Sequence, residues 1–406
     1  MNIKERQQDI LRIIEKMDIS PTMFNNAVQK YTSIAQYLNN HGIEADIYPQ
    51  GSFALGTVVR PYSKDGEKNY DLDLICQVNL SKDDITPSDL RNRVLSALNE
   101  SDLYGGKLVE YAECFTIEYA DVSGIGFSID IVPAVDESVS DKAALSRISK
   151  KPDLISSSIA IPKHSDGGRY SWITNNPHGY KKWFDEINSK YHTVESVLYR
   201  YRLFEDYKYA FASVEEIPME FEKTALQRVI QILKYHRNVY YSRVVNGDEL
   251  KPISAVISTI VAEIAKEYSE SNSQVDQLLK YVLSEFEIYS KHLVMSSAQF
   301  TQQYGFRSVI THENGQWFIG NPANPADNLA DAWNSNPEIP KRFFAWISVV
   351  KKQLVEDILL GDDEFRSAVE NAFGSQYVEK AIGSKYVSRK TQPVSTTQPA
   401  KPWSAK

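Results

Sequence analysis

Tyr70-Asp71-Leu72-Asp73-Leu74-Ile75-Cys76-Gln77-Val78 alternates polar and apolar side chains and then runs apolar. In a strand, successive side chains face opposite ways, so Asp71 and Asp73 share one face while Leu72 and Leu74 turn to a core. A second apolar strand is expected from Gly126 to Val135, where Asp130 stands between Ile129 and Ile131 and projects from one face. Three carboxylates converging at ~5 Å would repel pairwise by roughly 3 kcal/mol at an effective dielectric of 20. Such a group needs a cation or raised pKa values. Oxygen ligands without His or Cys neighbours favour Mg²⁺ or Mn²⁺ over zinc.

Upstream, Ile43, Ala45 and Ile47 alternate as another strand, and Gly51-Ser52 follows it at the start of a short helical segment. A glycine lets backbone approach phosphate, a helix N-terminus presents free N–H groups, and a serine hydroxyl can hold a phosphate oxygen. A strand over Leu108–Tyr119 completes a strand-rich core. Before it, Phe24, Val28, Tyr31, Ile34, Ala35 and Leu38 mark an amphipathic helix over 22–40, preceded by a shorter helical pattern from Lys4 to Met17. Residues 136–218 read as irregular with short helical stretches. After Pro218 the pattern turns helical: one long helix through Leu226–Tyr240, a second from Pro252 to Lys266, a third over Val275–Tyr289 and a last at Lys341–Leu360. The expected fold is α+β: a mixed sheet with helices packed on a helical lobe, the active site lying in the cleft between them. We divide it into N-terminal helices bracing both lobes (1–40), a core (41–200), a helical lobe (201–374) and a flexible tail (375–406).

The chain has 406 residues and a formal charge of −8, with 53 acidic against 45 basic side chains. Five basic and no acidic residues fall in Lys385–Lys406, leaving the body more acidic still. Binding long nucleic acid without sequence preference draws on many Lys and Arg contacts to phosphate, so no stable duplex partner is expected. No segment approaches the ~20 apolar residues of a membrane helix, and the start lacks a signal core, so a cytoplasmic protein without membrane association is expected. Cys76 and Cys114 are too few for a disulfide scaffold or cysteine-based zinc site, and Cys76 reads as a small buried residue.

Gln50-Gly51-Ser52-Phe53, Tyr70-Asp71-Leu72-Asp73-Leu74 and Ile129-Asp130-Ile131-Val132-Pro133 together resemble the polymerase-β-type nucleotidyltransferase superfamily. Within it, the chain is most similar to the bacterial cyclic GMP-AMP synthase-like (CD-NTase) enzymes of anti-phage signalling. The segments Leu226–Arg237, Lys251–Ser254, Asn321–Asn328, Trp172–Pro177 and Trp183-Phe184 extend the similarity over most of residues 22–360.

That resemblance implies synthesis of a cyclic di- or trinucleotide from nucleoside triphosphates, ATP among them, with release of pyrophosphate. Asp71, Asp73 and Asp130 would be the catalytic, metal-binding residues for two Mg²⁺ or Mn²⁺ ions. Gly51, Ser52, Lys234 and Ser254 would hold the donor triphosphate, and Asn321 and Asn328 would shape the base pocket. Read without the family, Lys234 is a solvated helix residue, Ser254 an N-cap and each Asn-Pro a turn. The aromatic stretch Tyr170–Phe211 reads either as a base-stacking groove or as helical-lobe core. Implied partners are a cyclic-nucleotide-activated effector and an accessory protein acting on the tail, against which stands its terminal lysine. A linear oligonucleotide synthase, a small-molecule nucleotidyltransferase and an inactive nucleotide-binding regulator remain the alternatives.

Overall fold

The computed structural model describes residues 2–62, 70–119, 127–165, 168–192, 222–269 and 274–387. Two helices open the chain, α1 (Ile3–Glu15) and α2 (Pro21–Asn40). Ser20 caps α2 by accepting from Met23 N at 3.3 Å, and Pro21 suits its first turn. The stripe α2 buries is Ala27, Ile34 and Leu38; Phe24, Val28 and Tyr31, expected with it, are only half-buried.

A seven-stranded sheet forms the first lobe. Its strands are β1 (Ala45–Pro49), β2 (Tyr70–Ser81), β3 (Leu108–Glu110), β4 (Phe115–Tyr119), β5 (Phe127–Asp136), β6 (Ile159–Ser165) and β7 (Arg169–Asn175). The order is β1-β2-β5-β4-β3, with the β6–β7 hairpin joined to the end of β5. Only the central β2–β5 pair is parallel. The single strand expected over Leu108–Tyr119 is two, because a turn closed by Tyr111 N donating to Cys114 O folds it back.

Both sheet faces are covered. Leu72, Leu74, Ile129 and Ile131 pack with Ile34 and Leu38 of α2 and with Val94 and Leu98 of α4 (Pro87–Asn99). Burying each such side chain stabilises the fold by about 1.5–3 kcal/mol. On the opposite face, Ile75 and Val132 meet Tyr48, Ile159 and Ile161. That second cover explains the apolar run after Asp73: only the first half of β2 leaves one face open. Residues 136–192 supply the short helical stretches expected there, α5 (Val139–Ile148) and α6 (Pro177–Asn188), and between them the β6–β7 hairpin, which was not expected.

The second lobe is built on α7 (Ala225–Tyr241), buried nearly all round. Thr224 and Gln227 form a capping box at its start. A helical turn, α8 (Gly247–Leu250), leads to α9 (Ser254–Lys266) and α10 (Val275–Tyr289). The helix expected over Lys341–Leu360 runs over Glu338–Lys351 and ends in a wider and then a tighter turn, Lys352–Glu356 and Asp357–Leu359. Arg228 of α7 donates to both oxygens of Asp18 at 2.8 Å, a buried ion pair tying the α1–α2 link to the helical lobe.

The tail expected from 375 begins later. Ser375–Ile382 is helical, with Tyr377 and Val378 buried, and Lys385 Nζ lies 2.5 Å from Asp9 and 2.7 Å from Glu5. The rest of the tail expected over 375–406, from 388 onward, and residues 193–211 of the aromatic stretch lie outside the described residues. Among the described residues, no helix is long and apolar enough to cross a membrane.

Candidate active site

The register of the parallel pair sets the site. Asp73 stands opposite Asp130 and Asp71 opposite Ser128, so the three acids occupy one face of two neighbouring strands. Next door, Thr116 of β4 pairs with Asp130 and donates to its Oδ1 at 2.5 Å. Ser128 Oγ likewise donates to Asp71 Oδ1 at 2.5 Å. Burial, then the charges of Asp130 and Asp71, push the Asp73 carboxyl up to about 6, against the pull of Lys234. Asp130 is also raised, by burial first, while the Thr116 hydrogen bond holds it down and Asp71 adds to the rise.

This donor set is entirely carboxylate and repels itself, and a hard divalent cation fits it. Among the described residues no three His, Cys, Asp or Glu side chains are gathered at ligand spacing. The acids share a face without closing a shell, with Asp71 and Asp130 held instead by Ser128 and Thr116.

Two clefts meet at Asp71. One, of about 570 Å³, lies between the lobes and is lined by Ser52, Asp71, Lys234, Arg237, Lys251 and Ser254 among others. The other, of about 720 Å³, runs over β4 and β5 and is lined by Asp71, Asp130, Thr116 and Glu118 among others. The interlobe cleft therefore gathers Ser52, Lys234 and Ser254, drawn from three separate segments.

Each arrives by a different route. β1 ends at Pro49, Gln50 N donates to Asp73 O at 2.8 Å, and the four-residue helix α3 (Gly51–Ala54) turns the chain. Gly51 has φ +60° and a Cβ there would sit 2.8 Å from Asp73 Oδ2, so only glycine lets this turn lie against the carboxylate. With so few residues α3 offers little dipole, and Ser52 lines the cleft. Lys234 is not solvated: it is 4% exposed, donates to Thr57 O at 2.9 Å, and burial lowers it to about 7. Ser254 opens α9 without capping it and accepts from Arg237 Nη1 at 3.2 Å.

Asn321 and Asn328 line neither cleft. They build a hairpin of the helical lobe: Asn321 bonds Asp327 and Ala323 N, and Asn328 bonds Ile319 N, Ala330 N and Trp317 O. Arg237 and Lys251, not singled out in the sequence, add positive charge to the interlobe cleft. Their signal was their place in the helix and loop that also carry Lys234 and Ser254. Cys76 is fully buried, as expected, and burial pushes its thiol up to about 12.

A mixed sheet with its acids on the central parallel pair, facing a helical lobe, is the polymerase-β-like fold. Residues 5–188 match the family model of the Second Messenger Oligonucleotide or Dinucleotide Synthetase domain. The chain is 25% identical over 353 residues to a c-di-GMP synthase of Roseivirga ehrenbergii, covering 86% of this chain and 78% of that one. Its fold matches CdnG of Bradyrhizobium diazoefficiens, solved with GTP, at TM-score 0.66 and 18% identity over 94% of this chain and 99% of that one. CdnC of E. coli MS115-1, solved with ATP, matches at TM-score 0.55 and 15% identity over 91% and 98%. In its synthetase domain and in its fold the chain is similar to the cyclic GMP-AMP synthase-like (CD-NTase) enzymes.

Proposed function

We propose that this enzyme joins two nucleoside triphosphates into a cyclic dinucleotide, with GTP the first substrate to test. The pairing of Asp73 with Asp130, and of both with Asp71 at the junction of two clefts, carries this reading. The similarity to a c-di-GMP synthase supports the choice of GTP.

Asp71, Asp73 and Asp130 would hold Mg²⁺ or Mn²⁺. Bound there, the metal supplies Lewis acidity and neutralises charge on the reacting phosphate oxygens. Lys234, Ser52 and Ser254 hold the donor triphosphate in the interlobe cleft, where Lys234 meets the departing negative charge. An acceptor nucleotide lies over β4 and β5 with a ribose hydroxyl toward Asp130. Its oxygen bonds to the α-phosphorus, the α–β anhydride bond breaks, pyrophosphate leaves and Asp130 takes the proton. A second round inside one molecule closes the ring. In this reading the product is a messenger for a downstream effector in anti-phage signalling, as the family resemblance implies.

Purified protein given Mg²⁺ or Mn²⁺ with GTP, ATP or both should release pyrophosphate and form phosphatase-resistant product. Asp71→Asn should lower turnover at least about a thousandfold with the thermal midpoint unchanged. A ladder of linear products, or full activity in Asp71→Asn, would overturn the proposal.

A further inference from the structure

Behind the Ser52 turn, one face of the helical lobe reaches a run of four consecutive carbonyls. Lys223 Nζ donates to Gly56 O at 2.9 Å, and Gln227 Nε2 to Leu55 O at 2.9 Å. Gln231 Nε2 donates to Val58 O at 2.8 Å, and Lys234 Nζ to Thr57 O at 2.9 Å. Spacings of three and four residues place these side chains along one side of α7 and its N-terminal approach. The loop comes so near that Gly56, at φ +65°, has no room for a side chain: a Cβ there would lie 2.5 Å from Gln227 Nε2. The loop also closes on itself, with Thr57 N donating to Ser52 O at 2.9 Å. The segment 51–58 is thus held in front by Asp73 against Gly51 and behind by α7 against 55–58.

We propose that Gln227 and Gln231 are positioning residues that fasten the turn bearing Ser52 to the helix bearing Lys234. This rests on the reading that Ser52 and Lys234 grip one triphosphate. The two grips come from opposite lobes, and without a direct tie their separation would follow every shift between those lobes. The glutamine amides supply the tie, and neither lines the interlobe cleft. Gln231 is anchored in turn, since its Nε2 also bonds Asp18 Oδ1 at 2.9 Å, beside the Arg228–Asp18 pair. Sub-ångström control of this kind matters because misplacing reacting groups by about 1 Å costs on the order of a hundredfold in rate.

Gln227→Glu tests the tie while sparing the helix. Its carboxylate still accepts from Thr224 N, where Gln227 Oε1 now does at 2.9 Å, so the capping box survives. What it loses is the N–H donor to Leu55 O. Wild type, Gln227→Glu, Gly56→Ala and Asp71→Asn should be compared for kcat, KM for GTP, thermal midpoint and amide exchange over residues 52–58. Gln227→Glu should lower kcat at least about tenfold, leave KM within about threefold and keep the thermal midpoint. Gly56→Ala, strained at its positive φ, should lower kcat likewise and lower the thermal midpoint with it. Exchange at Leu55 and Thr57 should quicken by at least about tenfold. Unchanged kcat in a folded Gln227→Glu, or that variant's kcat, KM and thermal midpoint falling together, would overturn the proposal. Should Asp71→Asn match wild type, the catalytic reading falls instead. The exchange data then judge the tie alone, and unchanged protection over 52–58 would refute it.

Discussion

Asp73 carries a proton more readily in the folded chain than in the unfolded one, because burial and two neighbouring acids push it up to about 6 from 3.8. Between those values the native state binds more protons, so stability falls as pH rises from about 4 through about 6, by on the order of 3 kcal/mol. In EDTA, Asp73→Asn should therefore gain on wild type in urea midpoint as pH climbs across that window. Mg²⁺ should return the lost stability to wild type and leave Asp73→Asn unmoved. Equal pH slopes for the two proteins would mean that neither burial nor the neighbouring acids raise Asp73. Lys234 carries the opposite shift, held down to about 7 chiefly by burial. Lys234→Met should cut kcat/KM for GTP at least about a hundredfold without changing which base is used; a switch of base would remove Lys234 from the triphosphate. Thr116→Val takes the hydrogen bond from Asp130 and should lower kcat about tenfold with Thr116→Ser restoring it, read from initial rates at saturating metal.

Elements with their own periodic signal were legible in the sequence. Val275–Tyr289 folds with the expected bounds because its apolar stripe needs no distant partner to reveal it. β2 was legible through the alternation of Asp71, Leu72, Asp73 and Leu74, and with it the shared face of two acids. The β6–β7 hairpin was not: Ile159–Ile161 is short, Pro162 interrupts it, and its partners lie on β5 and in a separate cluster. Burial of Lys234 was equally hidden, since the carbonyl that holds it lies 177 residues away in the chain. The ties of Gln227 and Gln231 end on backbone oxygens, which leave no mark in residue identity. Arg228 shows the same long reach. Arg228→Met would leave Asp18 buried without its cation and should cost about 3–5 kcal/mol, measured by urea denaturation. A loss below about 1 kcal/mol would show that water reaches Asp18.

Across the molecule, the first and last described helices close on each other. Tyr386 donates to Asp9 at 2.8 Å, beside the Lys385 contacts to Asp9 and Glu5. Removing residues from 388 onward should leave the thermal midpoint unchanged. Removing residues from 375 onward should cost about 4 kcal/mol, from exposure of Tyr377, Val378 and their neighbours. Scanning calorimetry of the two truncations separates these cases, and equal midpoints would show that Ser375–Ile382 adds no stability. The two clefts share Asp71, with Pro61 beside it, and Asp71 is the one acid that lines both. On the proposed reading, a single reaction centre forges both linkages of a dinucleotide ring. Between them the half-finished molecule has to swivel, exchanging its triphosphate end for its sugar end while the protein stays put. On that reading a ring of two identical nucleosides, which offers the same base to each position of the site in both rounds, would suit the enzyme best.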